Sequence, residues 1–233
     1  MVEEIRFLIN NLGIKEIAFW DDNFLISEDW IFKFCDLLDR EKIQVPWSVI
    51  ARVDTTTRKM LERAVKSGLW NIFLGIESGN QDLLDRIKKG VTLGQIRQTV
   101  KWTNELGIDT RGSFMLGLPG ETPEKARQTI NFACDLDVTY AQFLPTRPEW
   151  GTELYNDAIA SGRVFPLFSG GTSVPFVPDG YKNAEEVRKM QKLAYRKFYF
   201  RPKFLLKHLK RMKDITKIKQ YFDASLHILG ISS

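Results

Sequence analysis

Two hydrophobic periods alternate along the first 162 residues of the chain. Apolar runs rich in β-branched and aromatic residues fall at Glu16–Trp20, Trp47–Ala51, Asn71–Ile76, Thr110–Leu116 and Tyr140–Leu144. Their near-continuous hydrophobicity suits parallel strands covered on one or both faces. They recur at intervals of about 25 to 35 residues, enough for one crossover helix each time. The intervening stretches carry apolar stripes at helical spacing, such as Trp30, Ile31, Phe34, Cys35, Leu37 and Leu38. Repeated β-α units predict the α/β class.

Boundary residues support these helices. Ser27 is placed to cap the second helix, Thr92 with Gln95 reads as a capping box, and Thr122-Pro123 supplies a cap followed by proline at the first helical position. Gly13, Gly68, Gly90, Gly107 and Gly162 each follow a helical pattern, as C-terminal caps do. The chain opens on an amphipathic helix, Val2–Leu12, with Ile5, Leu8, Ile9 and Leu12 on one face. No strand precedes it, so the strand at Glu16–Trp20 is expected to have an unpaired edge. Residues 163–183 are rich in Gly, Pro, Ser and Phe and read as an irregular connection. A helical pattern resumes at Ala184 and runs into an extension over 184–233, with Tyr221–Ser233 a short terminal helix.

At 233 residues, 43% hydrophobic and 27% charged, the chain fits one soluble globular domain. It contains no apolar run long enough to span a membrane and no signal peptide at its start, so a cytoplasmic location is expected. The two cysteines, Cys35 and Cys134, are too few for a disulfide framework and are expected to be buried as small hydrophobes. No Cys/His cluster has metal-ligand spacing. The net charge of +5 hides an asymmetry: residues 188–213 hold eleven Lys or Arg and no acid, leaving 23 basic against 29 acidic residues elsewhere. Such a segment can meet RNA or an anionic membrane surface. Leu193, Phe198, Phe200, Phe204, Leu205, Leu206 and Leu209 interrupt the charges, so one face is expected to pack on the barrel.

In parallel α/β folds, ligands bind at the carboxyl ends of the strands. Here those ends carry Asp21-Asp22-Asn23, then Arg52 and Asp54, Glu77-Ser78-Gly79, Gly117-Leu118-Pro119-Gly120-Glu121-Thr122, and Pro145-Thr146-Arg147. Each has a plainer reading. Asp21 and Asn23 can shape a turn, Arg52 and Asp54 can pair with each other, and Gly-Leu-Pro-Gly is a turn in any case.

Taken in order, Phe-Trp-Asp-Asp-Asn-Phe (19–24), Trp-Ser-Val-Ile-Ala-Arg-Val-Asp (47–54), Gly-Ile-Glu-Ser-Gly (75–79) and Phe-Met-Leu-Gly-Leu-Pro-Gly-Glu-Thr (114–122) are more specific. The chain resembles the radical S-adenosylmethionine superfamily, and within it the branch whose members often carry an N-terminal cobalamin-binding domain. Phe-Tyr-Phe-Arg-Pro (198–202) resembles that branch's C-terminal region.

The resemblance implies a partial (β/α)6 barrel, here over 1–162 and lacking its first strand, in which S-adenosylmethionine binds a [4Fe–4S] cluster and is reductively cleaved. It places Asp21 or Asp22, beside Asn23, at the methionine amino group, and Arg52 at its carboxylate or a substrate group. Glu77 or Ser78 falls at the ribose, Met115, Gly117 and Leu118 along the adenine, and Leu144 and Pro145 near backbone contacts to it. It further implies a small-molecule substrate, an electron donor such as flavodoxin or ferredoxin, and, in some members, cobalamin and methyl transfer.

The family's Cys-x-x-x-Cys-x-x-Cys motif precedes the helix that here begins at Val2, and three thiolates must converge on one cluster. Truncation is expected to account for both the motif and the missing strand, leaving this piece inactive. A clusterless S-adenosylmethionine-binding or regulatory protein is the alternative. A metal-free acid–base enzyme using Asp21, Glu77 and Arg52, or a basic-helix binding module, are readings from other classes.

Overall fold

A computed structural model describes residues 1–160 and 176–211, with side chains described as far as Leu206. Gly162, most of the 163–183 connection and the expected helix at Tyr221–Ser233 lie outside the described residues, as does the side chain of Leu209. Five strands and nine helices are present among those described. In chain order they are α1 (Val2–Leu12), β1 (Ile17–Phe19), α2 (Glu28–Arg40), β2 (Trp47–Ala51), α3 (Arg58–Lys66), β3 (Leu69–Glu77) and α4 (Gln81–Arg86). There follow α5 (Leu93–Glu105), β4 (Asp109–Leu116), α6 (Pro123–Asp135), β5 (Tyr140–Pro145), α7 (Glu153–Ala160), α8 (Ala184–Tyr199) and α9 (Pro202–Arg211). The strands lie in one sheet in the order β1-β2-β3-β4-β5, and helices connect them, as the alternating periods predict. Parallel pairing sets Ile17 beside Trp47 and Val49 beside Ile72. Among the described residues no helix is long and apolar enough to cross a membrane.

The chain forms two compact units. The first comprises Met1–Glu77, Lys89–Ser113 and Leu136–Tyr140. Its core gathers Phe19, Phe24, Phe34 and Trp47 at centroid distances of 4.5 to 6.1 Å, mostly edge to face. The buried Trp47 indole donates to the Ser67 carbonyl at 2.7 Å. Gly68 makes that approach possible, because a Cβ there would stand 2.7 Å from the Val45 carbonyl oxygen. The expected caps form: Ser27 Oγ accepts from the Trp30 amide, and Thr92 and Gln95 close their capping box. Gly13 ends α1 in the left-handed conformation. Gly90, by contrast, stands beyond the end of α4, which closes at Ile87 through a right-handed turn. Of the expected apolar face of α1, only Ile5 is buried.

The second unit takes Ser78–Lys88, Phe114–Asp135 and the described residues from Ala141 onward. Here α8 buries Val187, Met190, Ala194 and Phe198, and its polar groups serve β5. Tyr195 accepts from the Phe143 amide, Gln191 donates to the Phe143 carbonyl, and Tyr199 donates to the Ala141 carbonyl at 2.8 Å. Side chains thus satisfy backbone groups of β5, beyond which no further strand lies among the described residues. The expectation that one face of the basic segment packs holds for Phe198 and the half-buried Phe204, but not for Phe200, Leu205 and Leu206, which are exposed. Pro202 starts a new helix after Phe200, which turns those apolar positions away from the face that α8 buries. Cys35 is fully buried and Cys134 only partly so, because Cys134 lies at the edge of the buried stripe of α6.

Candidate functional site

In the first unit, the carboxyl ends of β2 and β3 bring together four charges. Arg52 follows β2 and grips Asp54 in a bidentate pair, Nε to Oδ1 at 3.0 Å and Nη2 to Oδ2 at 2.8 Å. The hydrogen bond raises the Arg52 pKa and lowers that of Asp54, so both stay charged at neutral pH. Glu77 ends β3 with φ +67°, a left-handed conformation that costs a residue with a Cβ and is commoner at functional sites than elsewhere. Its Oε1 accepts from Lys89 Nζ at 2.8 Å, with only 17% of the Glu77 side chain and 14% of Lys89 exposed. Gly75 gives the carboxylate its place: a Cβ there would lie 2.6 Å from Glu77 Oε1. Arg52 Nη2 also reaches the Lys89 carbonyl at 3.4 Å, which joins the two pairs.

Asn23 binds this cluster to the loop after β1. Its Oδ1 accepts from the Arg52 amide at 3.2 Å, and its Nδ2 donates to Thr55 at 3.1 Å. Asp21 and Asp22, next to it, are exposed. The Arg52–Asp54 pair forms as its plain reading expects, while the Asn23 side chain reaches the loop after β2 rather than its own turn. Lys89 is the residue that sequence reasoning missed. The signal was a Lys-Lys-Gly run twelve residues past Glu77, which carries no periodicity of its own.

The second unit holds the remaining expected site residues. Ser78 is fully buried, its hydroxyl 3.0 Å from Thr129 Oγ1 and accepting from the Asn80 amide at 3.1 Å. Gly79 lies against α6, where a Cβ would come 2.4 Å from that of Phe132. Ser-Gly after the strand is thus explained by packing, and Ser78 offers no free hydroxyl to a ligand.

Beyond β4 the chain turns through Gly117, at φ +78°, with the Glu121 amide donating to the Leu118 carbonyl at 2.9 Å. Glu121 is fully buried; its Oε1 accepts from the Gly117 amide at 2.5 Å and from the Tyr181 hydroxyl at 2.7 Å. Burial raises its pKa to about 7 against those two bonds. Met115 and Leu118 line a cavity of about 480 Å³ together with Arg86, Lys88, Arg147 and Glu153. Gly117, Leu144 and Pro145 are not among its lining residues. A second cavity of about 520 Å³ belongs to the first unit, at the amino ends of β2 and β3, opposite the strand ends that carry the charges.

The charged donor set of the first unit suits a polar organic ligand better than a metal cluster. Within the first unit, two cations alternate with two carboxylates and can meet a ligand that carries charges of both signs. For [4Fe–4S] the described residues do not fit: no group of three His, Cys, Asp or Glu is placed to hold a metal, and burial raises both cysteine thiols.

The family model for the radical SAM superfamily matches residues 1–133. The chain is 33% identical over 211 residues to an uncharacterized methyltransferase of Pyrococcus horikoshii, covering 90% of this chain and 46% of that protein. It is 26% identical over 208 residues to the anaerobic magnesium-protoporphyrin IX monomethyl ester cyclase of Rubrivivax gelatinosus, covering 88% and 37%. Among solved structures, it matches the radical S-adenosylmethionine methyltransferase TsrM of Kitasatospora setae, determined with cobalamin and a [4Fe-4S] cluster bound. That match has a TM-score of 0.60 and 21% identity over 82% of this chain and 40% of TsrM, a likeness of fold. The chain spans less than half the length of each of these relatives. With the family model matching more than half of its residues, the chain belongs to the radical SAM superfamily.

Proposed function

We propose that this chain is the S-adenosylmethionine-binding part of a radical SAM enzyme that methylates or otherwise modifies a small molecule. The observation that carries the reading is the Arg52–Asp54 and Lys89–Glu77 network, which gathers two cations and two carboxylates at adjoining strand ends where a charged, hydroxylated ligand can meet them. Arg52 and Lys89 are the cations available to its carboxylate. Asp21 and Asp22, exposed beside Asn23, are free to turn toward its ammonium. Glu77, held on a strained backbone, is assigned to the ribose in preference to the enclosed Ser78. Taken by itself, the second unit offers Met115 and Leu118 as the wall of a cavity suited to an adenine. The chemistry such a ligand supplies when bound is that of an alkylsulfonium, a source of methyl groups and, on reduction, of an adenosyl radical. This chain's residues bind and orient it.

Calorimetric titration of the full chain with S-adenosylmethionine tests the reading. Binding is expected, weakened at least roughly tenfold by Glu77→Ala or Arg52→Ala, the loss of about one charge-assisted hydrogen bond. An absence of binding, or affinity indifferent to both substitutions, would sink it.

A further inference from the structure

The segment Phe176–Tyr181 closes over the Gly117–Glu121 turn within the second unit. Phe176, Val177 and Tyr181 are buried. Gly180 lies flat on the turn, where a Cβ would come 2.1 Å from the Glu121 carbonyl oxygen and 2.9 Å from Thr122 Cα. Pro178 and Val187 face Gly117, at 3.6 and 3.4 Å from the position its Cβ would take. The segment turns on itself through the Tyr181 amide to the Pro178 carbonyl at 3.0 Å, and the Lys182 amide that follows bonds Glu186 of α8 at 2.8 Å.

Two donors converge on one oxygen. The Gly117 amide and the Tyr181 hydroxyl both bond Glu121 Oε1, while Glu121 Oε2 is buried without a hydrogen-bond partner. We propose that Tyr181 is a positioning residue: by holding Glu121 Oε1 against the Gly117 amide, it fixes the backbone that presents Leu118 to the cavity. This rests on the reading of Met115 and Leu118 as the adenine wall.

The physical reason lies in the symmetry of a carboxyl group. With the amide as its only partner, either Glu121 oxygen would serve, and the side chain could rotate between two equivalent bonds. The hydroxyl, carried on a ring wedged under Gly180, breaks that equivalence. Gly117 is the link most in need of it, since a glycine in the left-handed region resists bending least. Burial and the neighbouring carboxylates of Glu121, Glu124 and Glu186 raise the pKa of Tyr181, so the hydroxyl remains a donor.

The test compares two tyrosines of the same unit in the full chain. Tyr181→Phe deletes one buried hydrogen bond near the turn; Tyr195→Phe deletes another, to the Phe143 amide, away from it. Amide hydrogen exchange at Gly117 and S-adenosylmethionine affinity are measured in both. Tyr181→Phe is expected to speed Gly117 exchange roughly tenfold and weaken the ligand by a similar factor, while Tyr195→Phe changes neither. Gly117 exchange unchanged in Tyr181→Phe, or altered equally by both variants, overturns the proposal. Should the wild-type chain not bind S-adenosylmethionine, the ligand reading fails, and the exchange comparison alone decides the role of Tyr181.

Discussion

Glu77 and Glu121 each stand at the carboxyl side of a strand, one in each unit, and the chain neutralises them in opposite ways. Glu77 lies against Lys89 and within the field of Arg52. Among the described residues no cation pairs with Glu121; an amide and a phenol serve one of its oxygens, and burial raises its pKa to about 7. A carboxylate beside a cation can meet a polar ligand, whereas a buried carboxyl held by neutral donors works as a brace whose charge depends on pH. The same residue type is suited to contact a ligand in one unit and to shape a turn in the other.

The contrast breaks most visibly through pH. Because the folded Glu121 keeps its proton up to about pH 7, against 4.5 ordinarily, the folded state binds more protons between those values. Its contribution to stability is therefore fully present at low pH and is lost as pH rises through that window. Only the Gly117 amide and the Tyr181 hydroxyl oppose the shift, and Glu124 and Glu186 act on Tyr181 rather than on Glu121 itself. Glu121→Gln removes the titration, so denaturant melts at successive pH values should show the variant gaining about 3 kcal/mol on the wild type between pH 4.5 and 8. Parallel curves would mean that Glu121 is no different from an ordinary carboxylate.

Lys89→Met attacks the other side of the contrast. It strands Glu77 in a mostly enclosed position, at an expected cost of about 2 kcal/mol. Adding Glu77→Gln should restore most of that, and the coupling is read from a double-mutant cycle of unfolding free energies. Independent, additive effects would deny that the pair is the means of neutralisation.

The smallest effect is expected from Arg52→Lys. The bidentate grip on Asp54 is lost, yet both groups are partly exposed, so stability should change by less than about 1 kcal/mol. Affinity for S-adenosylmethionine should fall several-fold all the same, since a lysine cannot hold Asp54 and present a second donor in one plane. Equal loss of stability and affinity would assign Arg52 to the fold alone.

Much of the fold was legible along the chain. The five apolar runs became β1 to β5 with ends moved by at most a few residues, and the helix caps at Ser27, Thr92 and Thr122 formed as expected. Such features are local: a strand needs a few apolar residues and a cap needs one side chain within three positions. The site was legible as a set of strand ends, but not as a set of partners. Nothing in Ser78 or Glu77 taken singly says that one is sealed against Thr129 and the other paired with Lys89. Lys89 comes to Glu77 across a helix and a turn, and Tyr181 to Glu121 over sixty residues.

The sequence by itself determined the period of each element, its caps, the glycines at tight turns and the family motifs, because each depends on residues a few positions apart. Only the tertiary structure decided which charges pair, which hydroxyls are used up and which carboxyl is buried. Those outcomes depend on desolvation and on distances between segments remote in the chain, and neither is written in the order of residues alone.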